Sequence, residues 1–166
     1  MIDIKRKLKN FGPLEFLVLS SLSYVVIMLI WTASTRSSVL QKANDIKTNH
    51  KTIVEFINNE VNACSADENG LTSWGENCNS SWNSSVIVKY ILDNFKLSNP
   101  YNINKPLIQT SQDPRIQAEG KAGQSTDKGI IFVSESNFEF EAGSEWIIGT
   151  CIKSPCVAAG NNELVS

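Results

Sequence analysis

Between Leu14 and Ala63 the chain contains neither glycine nor proline, so nothing in that stretch interrupts an α-helix. A continuous helix of about 50 residues would run roughly 75 Å at 1.5 Å per residue. Its two halves have different character. Residues 16–33, FLVLSSLSYVVIMLIWTA, are apolar on nearly every side. At about 18 residues they reach the short end of what spans a bilayer. In the second half Val39, Ala43, Ile46, His50, Ile53, Ile57, Val61 and Cys64 recur at spacings of four and three. That pattern is a single apolar stripe on a polar helix, with one face to bury.

Charge gives the apolar half a direction. Lys5, Arg6, Lys7 and Lys9 precede it with only Asp3 against them. A basic start stays on the cytoplasmic side, and the rest of the chain is translocated. The whole chain carries a formal charge of -2 over 166 residues. That balance argues against a nucleic-acid partner, which calls for a basic face. The length leaves room for one modest domain beyond the helix.

A cleavable signal peptide or a plain membrane anchor would account for the apolar run. The run is longer than the usual signal-peptide core of about 7–15 residues. Neither of these readings gives Glu15, just inside the start of the run, a role.

A basic leader, then Phe11, then Glu15 four residues on, then the apolar stretch, resembles a type IV prepilin or the related pseudopilins of type II secretion. The resemblance covers the first 64 or so residues. It implies a leader over residues 1–10, cut by prepilin peptidase between Asn10 and Phe11. The new amine of Phe11 would be methylated, and Glu15 would be the family glutamate. The family normally has Gly before the cut, where this chain has Asn10, and many members have a Pro where this chain has Thr32. The implied layout is a membrane or filament-core half-helix over 11–33, an amphipathic half over 34–64 and an extracytoplasmic head over 65–166. The implied partners are further copies of the chain in a helical filament, the inner membrane before assembly, and the pilus assembly machinery. The implied location is the inner membrane and then the cell-surface fibre. An unpartnered carboxylate in an apolar core costs roughly 2.5–3.5 kcal/mol at mid-bilayer and less near the interface. Pairing of Glu15 with the Phe11 amine, on its own or a neighbouring chain, would offset that cost.

The head is expected to be α+β. SSVIVKYILDNF reads as a helix capped by Ser84 or Ser85, with Val88, Ile91, Leu92 and Phe95 inward. GIIFVSE, NFEFEAG and EWIIGTCI read as strands, with PLIQT and RIQAEG as weaker candidates. A small antiparallel sheet of these strands would cover the stripe of the long helix.

The four cysteines allow three pairings. Local pairing of Cys64 with Cys78 and of Cys151 with Cys156 closes the shortest loops, and an oxidising compartment would keep both bonds. Zinc is disfavoured, because the chain has no CxxC spacing and a single His. ADENG, Ala66 to Gly70, reads as a solvated acidic turn without the spaced oxygens of a calcium loop. His50 is expected as a packed stripe residue, and Trp74, Trp82 and Trp146 as core. No nucleophile–histidine–acid set or phosphate loop is present, so no catalytic residues and no cofactor are expected.

Overall fold

The computed structural model describes residues 12–119, 128–134 and 146–165. The chain divides into two compact units, Met1–Gln41 and Lys42–Ser166.

One helix, α1 (Pro13–Ala66), runs the length expected from the absence of breakers. Pro13 occupies its first turn, where a missing N–H leaves nothing unsatisfied. Within the second unit, Ala43, Ile46, His50, Ile53, Ile57 and Cys64 of the stripe are buried. Val61 is only partly buried, and Val39, in the first unit, is exposed. After α1, the Cys64–Cys78 disulfide draws the following loop back to the helix end, with Cα atoms 5.0 Å apart.

The second helix, α2 (Ser84–Asn94), is capped by Asn83, whose side-chain oxygen accepts from the Ser85 N–H at 2.9 Å. The cap therefore lies one residue before the expected Ser84, and Ser84 itself is buried. Its inward face is Ile87, Val88 and Ile91; Leu92 is exposed, correcting the expected inner face. Phe95 has left the helix and packs its ring on Phe56, centroids 5.0 Å apart.

The sheet has four strands in the order β1 (Ile108–Ser111), β2 (Ile131–Ser134), β3 (Ile148–Cys151) and β4 (Asn162–Val165). It is mixed, which corrects the antiparallel expectation. β1 pairs with β2 in parallel, Ile108 opposite Ile131, while the other two pairings are antiparallel. The cause is a helix where a strand was expected. RIQAEG lies mostly in α3 (Pro114–Glu119), between β1 and β2. Asp113 accepts from the Arg115 N–H at 3.0 Å and Pro114 opens the first turn, a start signal for a helix. A strand–helix–strand connection permits parallel pairing, which a short hairpin cannot. NFEFEAG lies outside the described residues, and β4 was not anticipated.

The two faces of the sheet are both covered. On one, Ile131, Val133 and Ile148 join the α1 stripe in a single apolar core. On the other, α3 packs across Gly149, whose missing side chain leaves space for the Pro114 carbonyl and Ala118. The head is thus α+β, as expected, with a long apolar N-terminal helix and a small mixed sheet.

Candidate assembly segment

The start of α1 is held by a local hydrogen bond. The Gly12 N–H donates to Oε2 of Glu15 at 3.1 Å, and the Phe16 N–H donates to the Gly12 carbonyl at 3.1 Å. Glu15 is the third helical residue, where a carboxylate can reach back to the N-cap amide and also favour the positive end of the helix dipole. The cap gives Glu15 a use in a plain membrane anchor as well, which the sequence reading had denied that alternative. Asn10 and Phe11, the expected cut and amine, lie outside the described residues.

Beyond this cap the apolar half of α1 carries large side chains that touch nothing. Phe16 is 69 % exposed, Ile30 65 % and Trp31 66 %. Among the described residues this is the one helix long and apolar enough to cross a membrane. Its polar atoms are largely satisfied within the helix. Ser20, Ser21 and Ser23 donate to the carbonyls of Leu17, Val18 and Leu19 at 2.9, 2.9 and 2.8 Å. Thr32 and Thr35 donate back to Leu29 and Trp31 at 3.0 and 3.1 Å. Such back-bonding leaves those hydroxyls without need of water, as an apolar environment requires.

In the head, both local disulfides are present, Cys64–Cys78 and Cys151–Cys156. They bring no further functional group into a site; each closes a loop. His50 sits on the stripe as expected, buried, with Nε2 3.3 Å from the Ile148 carbonyl. Burial pushes its pKa below the usual 6.5, against the smaller opposing effects of that carbonyl and of Glu163. The neutral ring with its proton on Nε2 suits this contact. Trp82 is buried, with its ring edge-on to Trp74 at 5.1 Å and 6.1 Å from Trp146. The acidic turn at Asp67 is a local one: its carboxylate accepts from the Asn69 N–H at 3.2 Å. Among the described residues no group of three metal-ligating side chains forms.

Two carboxylates organise the loop after α1 and were not singled out in the sequence. Glu60 accepts from the Ser73 N–H at 2.9 Å and from the Ser73 hydroxyl. Glu76 accepts from the Trp74 indole at 2.9 Å and from the Asn83 N–H at 3.2 Å. Only their position opposite free amides distinguishes them, and that is a property of the folded loop.

No protein-family model, curated protein sequence or solved structure matches this chain.

Proposed function

We propose that the chain is a structural subunit of a type IV pilus-like surface filament. It is held in the inner membrane by residues 11–33 and added to the fibre through the same segment, after removal of residues 1–10. One observation carries the reading: an apolar half-helix with exposed large side chains, hydroxyls bonded to their own backbone and a single acid at its start, continuous with the amphipathic half that forms the head's core. The α+β head, stiffened by two disulfides, is consistent with a pilin-like layout.

Glu15 has two functions in this reading. In the stored subunit its carboxylate is held by the Gly12 amide. In the fibre it pairs with a neighbouring Phe11 amine, and the pairing sets the axial stagger of the helices. Glu15→Ala removes both roles while leaving the apolar run intact. The expected result is a subunit that still fractionates with membranes but is absent from sheared surface fibres. A normal yield of fibres from this variant would refute the pairing.

The second reading, a single-span anchored binding domain that does not polymerise, is favoured by the same Gly12–Glu15 cap, which needs no neighbour. N-terminal analysis of the purified protein separates them. A methylated Phe11 start supports the filament, and an intact Met1 supports the anchor.

A further inference from the structure

Along the exposed flank of α1 in the head, Asp45, Thr48 and Asn49 face the loop that carries Lys96, Ser98 and Pro100 across a groove of about 270 Å³. The Asn49 amide donates to the Ser98 carbonyl at 3.4 Å, which fixes the far wall level with Asn49. The walls carry opposite charges, Asp45 on the helix and Lys96 on the loop. Neither has an ion-pair partner among the described residues. The pairs that do form are Lys47 with Glu163 and Lys51 with Glu55.

The second of those pairs stands on the surface, with side chains 76 % and 61 % exposed. It repeats the spacing of the groove. Asp45 and Asn49 are four residues apart, as are Lys51 and Glu55. Six residues separate the two sets, a shift of about 9 Å along the helix and about 120° around it. A parallel second copy displaced by that shift brings its Lys51 level with Asp45. Its Glu55 then comes level with the wall that carries Lys96. Groove and ridge lie on different faces of one subunit, so a copy using one still presents the other. Contacts of that heterologous kind propagate without closing and build open helical arrays.

We infer that the Asp45–Lys96 groove is a subunit–subunit contact that receives the Lys51–Glu55 ridge of a second copy of this chain. The inference rests on the filament reading and names one of its lateral contacts. Opposed charges at such a contact contribute register and partner choice more than raw affinity.

Three variants in fibre-forming cells test it. One reverses the groove (D45K/K96E), one reverses the ridge (K51E/E55K), and one carries all four changes. The ridge variant keeps an oppositely charged pair within its own helix, so its effect is read between subunits. Groove and ridge variants are each expected to lose about threefold or more of the sheared-fibre yield, since each opposes like charges. The fourfold variant is expected to recover it. Normal fibres from either double variant, or no recovery in the fourfold one, overturns the contact while leaving the filament reading standing. Absence of fibres from the unaltered chain overturns both. Carbodiimide coupling of unaltered fibres gives a check free of folding effects. A dimer whose linked peptides join Asp45 to Lys51, or Glu55 to Lys96, supports the contact; dimers linked only elsewhere overturn it.

Discussion

Replacing Cys64 and Cys78 together by Ala should destabilise the head more than the same change at Cys151 and Cys156. The two bonds differ mainly in the loops they close, with sequence separations of 14 and 5. In the chain-entropy account, a closed loop of about 15 residues removes some 3 kcal/mol from the unfolded state, and one of about six removes some 2 kcal/mol. All four cysteines are buried, so the cavity left by each Cys→Ala change is of the same kind and largely cancels in the comparison. The expected difference between the double variants is therefore about 1 kcal/mol. Urea unfolding of the full chain in detergent micelles measures it. The reporter is the tryptophan cluster, with Trp82 buried against Trp74. The denaturant slope should rise in both variants, most in the first, as the unfolded chain is released from its larger loop. Equal losses, or a larger loss from the Cys151–Cys156 pair, would refute loop closure as the source of the stabilisation.

Two further outcomes follow from packing and burial in the head. Gly149→Ala would place a Cβ 2.7 Å from the Pro114 carbonyl oxygen and 3.0 Å from the Ala118 Cβ; overpacking of that kind should cost about 1–3 kcal/mol, visible as a lower urea midpoint. His50 has its pKa lowered by burial, so below 6.5 the unfolded chain takes up a proton that the folded head resists. Stability should be level above that pH and fall as the pH drops from there toward the folded pKa. The fall should be absent from His50→Gln, and a matching slope in that variant would show that other groups cause it.

How much of this was legible depends on which interactions are local. The long helix was readable because its evidence is an absence of breakers and a stripe that repeats along the same segment. The cap of α2 was harder, since Asn83, Ser84 and Ser85 are all good capping residues and only the folded loop chooses among them. The six residues of α3 are too few for a helical period to show. The Asp113–Pro114 start was the usable signal. Missing it hid the parallel pairing of β1 with β2, which depends on contacts distant in sequence. β4, NELV, lacks the alternation that marks a half-buried strand, and it forms where β3 offers an edge. At the assembly segment, Glu15 stood out from its apolar neighbours. Its bond to Gly12 could be drawn only once the helix start was placed.

The back-bonded hydroxyls of Ser20, Ser21, Ser23, Thr32 and Thr35 have a consequence for transport between phases. A lipid interior and the packed interior of a protein assembly are two different apolar solvents. A segment with free hydroxyls would have to find new partners on passing from one to the other, and would hold most tightly to whichever phase supplied them. Here those five bonds belong to the helix and travel with it. Extraction from one phase into the other breaks none of them, leaving shape and the charge at Glu15 to decide where the helix rests.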